Sequence, residues 1–226
     1  MDNLALVTLL LEAGANPHAS AESIIVLACL GGNLEIVCVL HQYGAKINDE
    51  YLGTSISPLY VACKMGHLKV VQWLVVNGAF IDEVDEDETT PFMVAAGKGY
   101  VQIVKFLTAM GATTERATPS GLSVAYYAAY SGHLALLKYF LANRVALRDA
   151  DGNLTNLLDG AVRGDHFRIA SYLLEHENIP DEHIDQSLML AVRLKRVDMV
   201  ELLILHDADI EDIDDQGMTS LVLTGP

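Results

Sequence analysis

Two runs of carboxylates are the first places where this sequence could do chemistry: Asp82, Glu83, Asp85, Glu86, Asp87 and Glu88 in one, and Asp209, Glu211, Asp212, Asp214 and Asp215 in the other. Carboxylates this dense could take a hard cation or draw in a basic surface. A calcium loop of the EF-hand kind places its ligands in alternation around a glycine turn, and neither run has that pattern, so no metal is expected. His67, His133 and His166 fall at equivalent places along the chain, and Cys29, Cys38 and Cys63 sit in helical patterns. Three cysteines so placed argue against a disulfide framework and for a reducing compartment. The chain contains no GxxxxGK[ST], HExxH, GxSxG or CxxC sequence, so the expectation is a protein that is not an enzyme and carries no cofactor.

The elements that hold these residues come from a repeat. A pattern of 23 residues starts at Ser23 (SIIVLACLGGNLEIVCVLHQYGA), Ser57 (SPLYVACKMGHLKVVQWLVVNGA), Thr90 (TPFMVAAGKGYVQIVKFLTAMGA) and Ser123 (SVAYYAAYSGHLALLKYFLANRV), with more divergent copies from Asn156 and Gln186 and the start of a seventh at Thr219. The starts lie 34, 33, 33, 33, 30 and 33 residues apart, so every length change falls between units and none inside them. A change inside a packed helix pair would rotate its apolar face out of the core, whereas a surface connection tolerates it. The sixth place is always alanine (Ala28, Ala62, Ala95, Ala128, Ala161, Ala191), as befits two helices in close approach. Apolar residues such as Leu68, Val71 and Leu74 then recur at helical spacing. Glycines mark the turn between the helices at Gly32, Gly66, Gly99 and Gly132 and the stop after the second at Gly44, Gly78 and Gly111. At that stop Arg144, Glu177 and Asp207 replace the glycine, which costs up to about 1 kcal/mol each if the backbone is left-handed there.

On these residues the chain resembles the ankyrin repeat family. Ser57-Pro58-Leu59 and Thr90-Pro91-Phe92 are similar to its TPLH opening, and Gly66-His67-Leu68 and Gly132-His133-Leu134 to its GHL turn. The resemblance implies an all-α solenoid of stacked antiparallel helix pairs joined by β-hairpin or loop fingers, running over 1–226 as one array. A half repeat would occupy 1–16, six units would begin near 23, 57, 90, 123, 156 and 186, and a partial repeat would fill 219–226. Both ends fall inside a repeat without a polar cap, so the chain is expected to be a stretch of a longer array or of a larger protein. The histidine usual at the fourth place is replaced by Val26, Tyr60, Met93, Tyr126, Asp159 and Met189, which puts the hydrogen bonding normally built there in question. The resemblance gives His67, His133 and His166 a hydrogen-bonding role at the turns.

The same resemblance implies that a partner protein lies along the fingers and first helices. The eighth and ninth places of the units present Leu30, Lys64, Met65, Lys98, Tyr130, Arg163, Arg193 and Leu194. Tyrosine and arginine are frequent interface anchors, and the candidate contacts are Lys64, Met65, Lys98, Tyr130, Arg163 and Arg193, with Glu83, Asp85, Asp87, Asp212 and Asp214 on the fingers. The bland alternatives are that the acidic loops only keep an apolar chain soluble, or that the basic residues pair with them at under about 1 kcal/mol per pair. The connections 16–22 and 179–185 are short, so two fingers should be stunted. Trp73, Phe106, Tyr139 and Tyr172 share one register of the second helices and read as packing between repeats, as Cys29 and Cys63 read as core; Cys38 is better placed to be exposed.

Composition sets the kind of partner. The chain has 226 residues, 51% hydrophobic, with 30 acidic against 14 basic side chains and a formal charge of −16, so a basic protein surface is attracted while nucleic acid and anionic membrane are not. Charges on neighbouring fingers reinforce one another over a Debye length of about 8 Å. No apolar stretch reaches the length of a membrane span, and without a secretory signal at its start the chain is expected inside the cell, in the cytoplasm or else the nucleus. The leading expectation is a scaffold or adaptor. The others are a regulatory or targeting segment of a larger enzyme or channel, and an array that reads nucleotide or RNA through Lys64, Lys98 and Tyr130.

Overall fold

The computed structural model describes residues 3–17, 23–50, 55–117, 120–145, 147, 157–212 and 219–220. They fall into two compact units, Met1–Thr114 and Glu115–Pro226. In the first, helices α1 (Asn3–Glu12), α2 (Ile24–Gly31), α3 (Leu34–Gln42), α4 (Pro58–Met65), α5 (Leu68–Val76), α6 (Pro91–Gly97) and α7 (Val101–Ala109) form two rows: α2, α4 and α6 pack side by side, and α1, α3, α5 and α7 pack behind them. In the second, α8 (Val124–Tyr130), α10 (Leu157–Arg163) and α12 (Asp181–Arg193) make the row of first helices, paired with α9 (Leu134–Asn143), α11 (Phe167–His176) and α13 (Val197–Leu205).

The sequence sets where these helices begin. Ser57, Thr90 and Ser123 have extended backbones, and their hydroxyls accept the N–H of Tyr60, Met93 and Tyr126 at 3.2, 3.2 and 3.1 Å. Such a cap is worth about 1 kcal/mol. Pro58 and Pro91 follow, each at a place where its missing N–H is not needed, and each keeps the residue before it out of the helix. Gln186 and Ser187 offer neither device, and α12 begins five residues earlier, after Pro180, with Asp181 and Glu182 in its first turn where carboxylates favour the helix dipole. The stunted finger expected at 179–185 is therefore a helical extension instead. Its counterpart at 16–22 lies mostly outside the described residues.

The core is built from repeated places. Ile25, Leu59 and Phe92 in one unit, and Leu158 and Leu188 in the other, are buried at the third place, each contributing roughly 1.5–3 kcal/mol. Ala62, Ala95, Ala128, Ala161 and Ala191 are wholly enclosed. Ala28 is only half-buried, because α2 has a first-helix neighbour on the α4 side alone. Among the described residues the connections are turns and irregular backbone, with a single bridge at Thr219 and no strand ladder. No helix among them is long and apolar enough to cross a membrane.

The turns carry the repeat-to-repeat fit. Gly66 has φ 80°, and a Cβ there would lie 2.7 Å from the ring of Tyr100 in the next repeat. His67 covers Gly32 in the same way, and its Nε2 donates to the Leu30 carbonyl at 3.2 Å. The histidine bond thus joins neighbouring repeats and is not local to one turn. Trp73 meets His41 edge-to-face at 5.4 Å, and Lys138 stands 4.3 Å above the Tyr172 ring, so Trp73 and Tyr172 pack across repeats. Cys29 and Cys63 are fully enclosed, and burial pushes the Cys29 thiol up to about 12, out of reach of reactivity at neutral pH; Cys38 is half-buried.

Candidate interaction surface

The surface is assembled from the C-terminal ends of the first helices and the connections that precede them. In the first unit Lys64 and Met65 end α4 and Lys98 follows α6; all three are exposed, Met65 to 43%, beside Leu30 at 49%. Neither lysine forms an ion pair among the described residues. Lys64 instead places its ammonium 5.8 Å from the centre of the Tyr60 ring. The Tyr60 hydroxyl is hydrogen-bonded to Asp85, and burial first, then that bond and the charges of Asp85 and Asp87, raise its pKa. Tyr60 thus links two predicted contacts, Lys64 and Asp85.

The acidic connection divides into working parts. Asp85 Oδ1 accepts the N–H groups of Asp87 and Thr89 at 3.1 and 2.9 Å and so closes the turn. Glu83 is turned inward: one carboxylate oxygen is buried without a partner, and Ser57 bonds the side chain. Partial burial, reinforced by Glu50 and opposed by the Ser57 hydroxyl, raises its pKa. Within the run, Glu86, Asp87 and Glu88 are exposed, whereas Asp82, Glu83 and Asp85 are half-buried. Of the predicted finger contacts in this unit, Asp87 is presented outward, while Asp85 braces the loop and Glu83 caps its base.

A set of contacts that the sequence reading missed joins successive connections. Asn48 accepts the N–H of Phe80 at 3.0 Å and donates to the Gly78 carbonyl at 3.1 Å. Asp82, at the same place one repeat on, takes the N–H and hydroxyl of Thr113 at 2.9 and 2.7 Å. The signal was present as Gly44-Ala45-Lys46-Ile47-Asn48 and Gly78-Ala79-Phe80-Ile81-Asp82. In the second unit Asp185, on the first turns of α12, accepts the N–H of Asp209 at 2.7 Å in the equivalent role.

The second unit treats its predicted anchors differently. Tyr130 is 46% exposed and meets Tyr127 edge-to-face at 6.5 Å. Arg163 Nε donates to Asp159 at 2.9 Å, and the Tyr126 hydroxyl donates to the same oxygen at 3.1 Å. Desolvation, then the Asp159 charge, push Tyr126 up to about 12. The fourth-place pair Tyr126 and Asp159 therefore rebuilds a hydrogen bond between repeats without histidine. Arg163 serves that bond and is not an unengaged anchor. Arg193 ends α12 in the open with Leu194 at 40% exposure, and Asp212 is half-buried. Asp214 lies outside the described residues.

A family model described as ankyrin repeats (three copies) matches residues 1–85, 59–156 and 126–214. The chain is similar to protein phosphatase 1 regulatory subunit 27 of Mus musculus, 38% identical over 72 residues, and to that of Homo sapiens, 37% over 75 residues. Those stretches are 31% and 32% of this chain and 45% and 47% of the relatives, so the match spans less than half of each relative's length. Among solved structures, the ankyrin repeat domain of human ASB11 aligns with a TM-score of 0.74 at 25% identity, covering 89% of this chain and 91% of that one.

Proposed function

The chain belongs to the ankyrin repeat family, whose repeats bind other proteins, and from that premise we propose that it is a non-catalytic scaffold that holds a partner against its first-helix ends and acidic connections. One observation carries this reading. Large side chains stand exposed at the eighth or ninth place of four repeats, Leu30 and Met65 in the first unit and Tyr130 and Leu194 in the second. Monomer surfaces hold apolar residues singly, and the exposed Leu30 and Met65 at adjoining places of neighbouring repeats in the first unit support a surface that a partner covers. Lys64 and Lys98, without ion pairs among the described residues, and the outward Glu86 and Asp87 supply polar contacts around it, and the net charge of −16 favours a partner with a basic surface.

The test is capture from native extract in parallel with Met65→Glu and with Glu86→Lys/Asp87→Lys, none of which touches a folding contact. A partner retained by the parent chain and lost by both variants supports the reading, with retention falling as salt rises. A partner held equally by all three shows that binding lies elsewhere.

A second reading rests on the relatives, which are named as regulatory subunits of protein phosphatase 1. On it, the chain binds an enzyme as its regulatory subunit. Co-elution of the purified chain with protein phosphatase 1 supports that version, and separate elution at micromolar concentrations removes it.

A further inference from the structure

The second unit carries an apolar notch on its second-helix side, away from the first-helix ends. Phe167 of α11 and Leu202 and Leu205 of α13 line it, with Asp198 and Glu201 on its rim, and it is an open depression of about 370 Å³. Phe167 is 46% exposed and Leu205 77%. These residues follow from the helical register: Asp198, Glu201, Leu202 and Leu205 recur at three- and four-residue steps and so share one face of α13. Asp198 and Glu201 are exposed at the thirteenth and sixteenth places of the repeat, which elsewhere in the second unit carry Ala135 and Arg168, and Lys138 and Ser171.

Neither carboxylate has a hydrogen bond or an ion pair among the described residues. Arg168 does not line the notch and is paired with neither. Arg196, which caps α13, is committed to Asp165 at 2.9 Å. An apolar floor rimmed by two uncompensated carboxylates is complementary to one kind of surface, apolar side chains flanked by cations.

We propose that this notch docks a basic amphipathic helix, its apolar residues entering between Phe167 and Leu205 and its lysines or arginines meeting Asp198 and Glu201. The site is separate from the first-helix surface, so the chain can hold two segments at once. Phe167 acts as the wall of the notch and Leu205 as its outer lip. The two carboxylates discriminate against acidic or neutral helices of equal hydrophobicity.

The probe is a labelled 18-residue helical peptide of leucine on one face and lysine on the other, titrated with the whole chain by fluorescence anisotropy. Two control peptides are used, one with glutamate for lysine and one with the same composition scrambled so that no apolar face forms. The basic amphipathic peptide is expected to bind and both controls to fail. Asp198→Lys/Glu201→Lys should weaken binding about tenfold or more at low salt, and Leu205→Ser should weaken it at all salt concentrations. Glu86→Lys/Asp87→Lys, on the first unit, should leave it unchanged, which separates this site from the scaffold surface. Circular dichroism confirms that each variant remains folded; both leucine and carboxylate positions are exposed. Failure of the basic peptide to bind, equal binding of the scrambled peptide, or indifference to the α13 substitutions overturns the proposal.

Discussion

The two units solve the same backbone problem with different residues. The repeats take left-handed backbone at the turn between their helices and, with one exception, again after the second. The first unit places glycine at both throughout, as at Gly66 and Gly78. The second keeps Gly132 but puts Asp165 and Lys195 at the later turns, with φ 60° and 57°, and Arg144 and Asp207 at the stops, with φ 54° and 64°. Glu177 takes another way out, leaving the helix in an extended conformation at φ −115°. The fold tolerates a side chain in the left-handed region, but each costs up to about 1 kcal/mol, least for aspartate. At these turns and stops the second unit therefore carries a Cβ penalty that the first does not, while the first has its own non-glycine left-handed residues, Ser55 and Glu88, in its connections.

The ninth place of the repeat gives a second contrast between the units, one of space and not of backbone region. Gly31 and Gly164 occupy it in the two units, neither at positive φ. A Cβ on Gly31 would meet nothing within 4 Å, whereas on Gly164 it would run into the Tyr130 carbonyl of the adjacent repeat. Gly164→Ala is expected to destabilise the chain by about 3 kcal/mol, since backbone must move. Gly31→Ala is expected to stabilise it by up to about 1 kcal/mol through helix propensity. Urea unfolding midpoints measure both, and equal signs for the two would remove the distinction between an open and a crowded ninth place.

The connections give the next largest effect. Asp82→Ala removes two bonds to Thr113 and is expected to cost about 2 kcal/mol, and Asp185→Ala removes one and should cost about 1 kcal/mol. Hydrogen exchange at the Thr113 and Asp209 amides reads the two sites separately. If the amides exchange at parental rates, the carboxylates are solvated and hold nothing.

The register of the repeats was open to reading because period, alanine and glycine repeat along one dimension. Helix starts at Ser57, Thr90 and Ser123 were legible for the same reason, being set by residues adjacent in sequence. Two things were hidden. The latches of Asn48, Asp82 and Asp185 join loops distant in sequence, so Asp82 read as part of a charge run and Asn48 and Asp185 were not singled out at all. The early start of α12 depends on what Gln186 and Ser187 lack, a cap and a proline, and an absence leaves little trace in a pattern search. Of the candidate contacts, exposure at Met65 and Tyr130 followed from register. That Arg163 would be bonded to Asp159 required knowing that Tyr126 and Asp159 meet across repeats.

Relief of strain comes next in size. Lys195→Gly and Arg144→Gly should each raise stability by up to about 1 kcal/mol, because glycine removes the Cβ penalty at a left-handed residue. Glu177→Gly should give no gain, and through added freedom in the unfolded chain a small loss, since its backbone is already extended. Thermal midpoints of the three variants decide the matter. A gain at Glu177 equal to that at Lys195 would show that the residue type, and not the backbone region, sets the effect.

The smallest effect separates the units by pH. In the second, Tyr126 is pushed up to about 12 from 10.0, so the stability it contributes is complete below pH 10 and is lost as pH rises toward 12. In the first, the Glu83 carboxyl is raised above 4.5 by partial burial and by Glu50. Unfolded, that carboxyl ionises first as pH rises, so the folded chain loses stability across the window from 4.5 up to the raised value and does not regain it at neutral pH. Glu83→Gln keeps an acceptor for the Ser57 hydroxyl and turns an amide toward Glu50 with no charge to desolvate. The variant should match the parent below pH 4 and exceed it slightly at pH 7, and the difference between their melting temperatures, followed from pH 3.5 to 7, isolates this one group from the other carboxylates. A constant difference across that range would mean that Glu83 titrates as if in water and that the base of the acidic connection is not the closed site described above.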